Sequence, residues 1–210
     1  MPYLTIDEFK ILLRSSSLEE ITQRHIFDGE AFCFRANPKD YQLMRNLLAK
    51  SIRLSAEACT IVGSGKTGFS LDPKNPFIPF STARDIDVVV VDSGLFDAFW
   101  SYLISWSYPL GRYVPPNDYR WLSTHKDDVF WGYVYPGLRI PRSPALPQLM
   151  APIRAFYSLW QSAFQGLGRY QAFSGLRIEG RLYRTWDHAR AYHVEGLRLI
   201  LSGLESTKER

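Results

Sequence analysis

Asp85-Ile86-Asp87 runs directly into four valines, Val88 to Val91, and no other stretch restricts the fold of this chain so tightly. β-Branched residues at that density, bounded by loop residues, predict a strand buried on both faces. Side chains alternate along a strand, so Asp85 and Asp87 share one face while Ile86 and Val88 share the other. Two carboxylates at the mouth of a buried strand are costly unless a cation neutralises them. A hard divalent ion with oxygen ligands, Mg²⁺ or Mn²⁺, is the expected partner.

Upstream, Thr60-Ile61-Val62 predicts a short strand that feeds the turn Gly63-Ser64-Gly65-Lys66-Thr67-Gly68. Backbone N–H groups of such a turn, together with Lys66, suit a phosphate. A loop containing Pro and Phe separates the turn from Asp85. One alternative is a P-loop, because Gly65-Lys66-Thr67 matches the end of GxxxxGK[ST]. The first glycine of that motif would fall on Thr60, and Gly68, Pro73 and Pro76 oppose the long helix it must feed. The other alternative makes residues 63–68 an ordinary turn and the two aspartates a solvated strand end.

Gly63-Ser64, Gly68 and Asp85-Ile86-Asp87 resemble the signature of the polymerase-β-type nucleotidyltransferase superfamily, hG[GS]…Dh[DE]h. The resemblance covers roughly residues 59–92. It implies that Gly63 and Ser64 contact the triphosphate of an incoming nucleotide, ATP or another NTP, and that Asp85 and Asp87 hold Mg²⁺. The implied activity is transfer of an NMP to an RNA end, a nucleotide, a small molecule or a protein side chain. In that superfamily a third metal-site carboxylate usually sits on a later strand. Glu179 is the first candidate here, giving a catalytic set of Asp85, Asp87 and Glu179 with Lys66 added on the phosphate side; Asp127 and Asp128 compete for the third place. Without a working third acid the expectation becomes a catalytically inactive nucleotide- or RNA-binding module.

A chain of 210 residues, 46% hydrophobic and 15% aromatic, is expected to build a full core in one domain. Its core is expected over about 38–107 plus 170–204, with a proline-rich insertion over about 109–147. Cys33 and Cys59 have neither CxxC nor metal spacing, so free thiols in a reducing cytoplasm are expected. The first ten residues lack the basic-then-apolar order of a signal peptide. The longest uncharged apolar stretch, Ala98 to Gly111, is too short for a bilayer, so no membrane partner is expected.

Charge is uneven. Residues 139–210 carry 11 Lys+Arg against 5 Asp+Glu, almost all the cations being arginine, whereas residues 1–138 are net −2. Planar guanidinium groups suit phosphate, so RNA or another polyanion is a candidate partner, with Arg177 and Arg181 on its face. A merely solvated basic surface is the alternative.

Helical periodicity predicts helices over 5–14, around 18–24, over about 37–54, from Leu95 to Ile104, over 152–165 and from Thr185 onward. Leu176 to Tyr183 alternates with period two and predicts a strand, and Tyr133-Val134-Tyr135 is a further strand candidate. His193 falls on the apolar seam of the last helix and is expected to be a hydrogen-bonded core histidine. The expected architecture is α+β: a small mixed β-sheet with helices packed on one face, and helical N- and C-terminal additions.

Overall fold

In the computed structural model, residues 3–81, 85–111, 113–142 and 144–206 are described. The sequence-based readings that involve Met1, Lys208 and Arg210 lie outside them. The fold is α+β, built on a four-stranded mixed sheet. Its strands are β1 (Cys59–Val62), β2 (Ile86–Val91), β3 (Tyr133–Val134) and β4 (Ile178–Tyr183), in the order β1-β2-β4-β3. β2 runs antiparallel to β1 and parallel to β4, and β3 closes the far edge antiparallel to β4.

One face of the sheet is sealed. Ile61, Ile86, Val88, Val90, Ile178 and Leu182 pack beneath α3 (Pro38–Ile52), α5 (Ser93–Ser107), α6 (Pro116–Phe130) and α7 (Ala151–Leu167). Trp106 and Phe99 are fully buried in this layer, and the Trp106 indole N–H donates to the Ala145 carbonyl at 2.7 Å. Gly180 lets the layer close. A Cβ there would come within 2.1 Å of the Phe164 ring.

The terminal helices cover part of the other face. α1 (Ile6–Ser15) starts at a Thr5–Glu8 capping box, which satisfies two N-terminal donors. α2 (Leu18–Ile21) runs on into a wider π-helical turn, Thr22–Phe27. With the last helix, α8 (Trp186–Ser206), they bury Phe9, Leu13, Ile21, Phe27, Leu197 and Ile200 against Val62, Val89 and Tyr183. The Thr185 hydroxyl accepts the His188 N–H at the start of α8.

α6 is the element that sequence periodicity misses. Pro116 stands at its first position, where a missing N–H costs nothing. It lies inside the proline-rich insertion, and so does β3, so this segment is part of the sheet and its cover.

Candidate functional site

Where α8 and the N-terminal helices leave the sheet uncovered, a cleft of about 1620 Å³ opens over β2 and β4. The register of the sheet decides what lies on its floor. Val62 pairs with Asp87, and Asp87 pairs with Glu179, so one row across three strands ends β1 and carries two acids. Asp85 lies two residues before Asp87 on the same face, and Arg181 lies two residues after Glu179. All four line the cleft.

The glycine turn abuts this row. Residues 63–67 form a single helical turn, α4 (Gly63–Thr67), closed by Gly68 at φ 91°. Gly63 has φ 61°, and a Cβ on it would sit 3.1 Å from Asp87 Oδ2, so close approach and backbone conformation both favour glycine there. Gly63 and Ser64 line the cleft beside the carboxylates. The loop that follows folds back on itself, with Ser70 N–H donating to the Ile78 carbonyl and Phe77 N–H to the Ser70 carbonyl. Its residues Leu71, Asp72, Pro73 and Asn75 form a wall of the same cleft.

Lys66 is not part of this arrangement. α4 turns it inward, where it is buried and its Nζ donates to the Gly29 carbonyl at 2.7 Å. Burial pushes its pKa down to about 8. The expected phosphate contact by Lys66 is therefore corrected: the carbonyls of Phe27, at the end of the π-helical turn, and of Gly29 beyond it hold the side chain. A helix that begins at Gly63 and stops at Thr67 likewise lacks the form of a P-loop, whose long helix would continue past Gly68.

Solvent reaches Asp87 in the cleft, yet the surrounding protein pushes its carboxyl up to about 6; Arg181 opposes the rise, and Asp85 and Glu179 add to it. The other two acids are tied. Arg177 grips Asp85 with both arms, Nε to Oδ1 at 2.7 Å and an Nη to Oδ2 at 2.9 Å, and reaches Glu179 at 3.7 Å. The Tyr135 hydroxyl donates to Glu179 Oε2 at 2.6 Å. Among the described residues, no group of three His, Cys, Asp or Glu side chains converges on one metal position.

The donor set nonetheless fits a hard divalent ion. It consists of carboxylate oxygens alone, and the pKa of Asp87 is raised first by burial, with Asp85 and Glu179 adding to the rise, so a bound cation would favour its charged form.

The competing acids lie elsewhere. Asp127 is exposed on α6, and Asp128 lies 3.8 Å from the Nδ1 of buried His125, whose Nε2 meets the Tyr157 hydroxyl at 2.6 Å. Neither lines the cleft. His193 departs from expectation in one respect: its Nε2 is shielded from solvent and has no hydrogen-bond partner.

The basic C-terminal half is also less free than its composition suggests. Arg184 pairs with Asp97, Arg190 with Asp187, and Arg198 with Glu195. Among the described residues, no helix is long and apolar enough to cross a membrane. Compared with known proteins, the chain matches no family model, no curated protein and no solved structure.

Proposed function

We propose that this cleft catalyses metal-dependent nucleotidyl transfer from a nucleoside triphosphate. The observation that carries the reading is the row Gly63–Asp87–Glu179, with Asp85 one pleat away: a glycine turn against one acid, and a second acid on the neighbouring parallel strand. The third acid, left open by sequence alone, is best filled by Glu179.

Asp85, Asp87 and Glu179 would hold Mg²⁺ or Mn²⁺, which supplies charge neutralisation at the transferring phosphoryl group and the departing pyrophosphate. Gly63 and Ser64 receive the β- and γ-phosphates, glycine allowing the phosphate oxygens to approach the backbone. In the reaction the acceptor hydroxyl forms a bond to the α-phosphorus and the bond to pyrophosphate breaks. The hydroxyl proton passes to a carboxylate of the row. Tyr135 keeps Glu179 turned toward the cleft by its hydrogen bond.

A second reading has its own support. Arg177 clamps Asp85, and the described acids do not converge on a metal, as a catalytically inactive nucleotide-binding module would have it. Incubation with each α-labelled NTP, Mg²⁺ or Mn²⁺ and a panel of acceptors separates the two. Label in RNA, in a small phosphatase-resistant product or on protein supports transfer and names the acceptor. NTP binding without any transfer of label supports the inactive module.

A further inference from the structure

Arg181 is the anomaly of the cleft. The other cleft arginines have carboxylate partners: Arg177 with Asp85, Arg190 with Asp187, and Arg198 with Glu195. Arg181 forms no salt bridge among the described residues, and its Nε is shielded from solvent without a hydrogen-bond partner. The Tyr183 hydroxyl lies 3.5 Å from an Nη, and the Tyr192 side chain also hydrogen-bonds the guanidinium.

Aromatic rings surround it instead. The guanidinium carbon lies 4.6 Å from the Tyr192 ring centre, 5.0 Å from Tyr133 and 5.9 Å from Tyr135. Cation–π contact stabilises a desolvated guanidinium without neutralising it, and the neutral tyrosine hydroxyls leave its charge unbalanced and its Nε–H unpaired. Arginine stays charged at every accessible pH. A half-buried cation of this kind is positioned for an anion that arrives with the ligand.

The neighbourhood offers a second donor. His193 also lines the cleft, and its Nε2 is shielded and unpartnered. Burial, then the Arg181 charge, pushes its pKa down to about 3, so the ring is neutral near pH 7 and can donate through one nitrogen.

Position assigns a role. Gly63 approaches Asp87 from the β1 side, whereas Arg181 stands beyond Glu179 on the β4–β3 side. An anion at Arg181 therefore lies across the carboxylates from the expected triphosphate.

We propose that Arg181, caged by Tyr133, Tyr135 and Tyr192 and assisted by His193, binds a phosphate group of the acceptor. The acceptor is then a phosphorylated hydroxyl compound rather than a neutral one. Its assignment to the acceptor rests on the nucleotidyl-transfer reading; the anion site itself does not.

Inorganic phosphate, titrated into the full chain with no nucleotide and no divalent metal, tests the site. In wild-type protein labelled with ¹⁵N-arginine, the Arg181 Nε–H resonance, identified by its loss in Arg181→Lys, should shift saturably. By calorimetry, Arg181→Gln should bind phosphate about tenfold or more weakly, the loss of a charge-assisted contact. A phosphate titration that leaves the Arg181 resonance still in wild-type protein overturns the proposal, whatever the variants do. Phosphate binding at Arg181 in a protein that transfers no label would keep the site and sink only its assignment to an acceptor.

Discussion

On one face of the sheet Ile86, Val88, Val90, Ile178 and Leu182 are sealed beneath four helices; on the other, the residues between them, Asp85, Asp87, Glu179 and Arg181, stand in an open cleft. The same two strands supply both. Alternation puts the valines where burial is favourable and the charged groups where their desolvation would be most costly, so the second layer of helices stops short of them. Cover resumes where the open face turns apolar again, at Val62, Val89 and Tyr183. A functional site on this scaffold is thus the part of the sheet that cannot be covered.

Substitutions should divide by face. Trp106→Ala on the sealed side should cost about 3–5 kcal/mol, since it empties a fully buried site and orphans the Ala145 carbonyl. Gly180→Ala should cost about 1–3 kcal/mol by overpacking against Phe164, whereas Glu179→Gln, one residue away on the open side, should stay within about 0.5 kcal/mol. Urea unfolding of the three variants measures the contrast. Equal losses at positions 179 and 180 would break it.

Acid should separate the faces further. His125 has its pKa pushed down by burial to about 4, on the sealed side, and His193 to about 3, beside the cleft. Unfolded, both take protons near pH 6.5, so the stability they contribute is whole above that value and falls as pH drops toward 4. Asp87 has the opposite sign. Its folded pKa is raised from 3.8 to about 6, so its contribution is lost as pH rises through that window. In metal-free protein Asp87→Asn should therefore raise Tm at pH 7 and leave it unchanged below about pH 4. Scanning calorimetry across pH reads both; a lower Tm for Asp87→Asn at pH 7 would contradict the cost of holding a charged, partly desolvated Asp87 beside Asp85 and Glu179.

What could be read from the sequence was local. The alternation of β2 and β4, the capping signal at Thr5 and the glycine turn each depend on neighbours in the chain. α6 was hidden because its inward positions include Asp118 and His125, polar residues satisfied by distant partners: Asp118 accepts the Ala145 N–H at 2.8 Å, and His125 meets Tyr157. Those pairs erase the apolar period, and Pro115-Pro116 then looks like a loop. Lys66 was misplaced because a motif gives residue order, not the direction in which one helical turn points a side chain. The pairing of Asp87 with Glu179 spans 92 residues, and only the β2–β4 register sets it.

A smaller effect is expected at Arg177. Its clamp on Asp85 competes with any cation, so Arg177→Gln should tighten Mn²⁺ binding by a few-fold at most, in keeping with an exposed ion pair. Weaker Mn²⁺ binding in that variant would mean that the clamp orients the site rather than closing it.

The most direct measurement is Mn²⁺ binding in the presence of NTP, followed by electron paramagnetic resonance, for wild-type protein, Asp85→Asn, Asp87→Asn and Asp127→Asn. The account predicts binding by wild-type protein and by Asp127→Asn, whose carboxylate lies outside the cleft, and losses of about tenfold or more for the two cleft variants. Wild-type Mn²⁺ affinity in Asp87→Asn would contradict it.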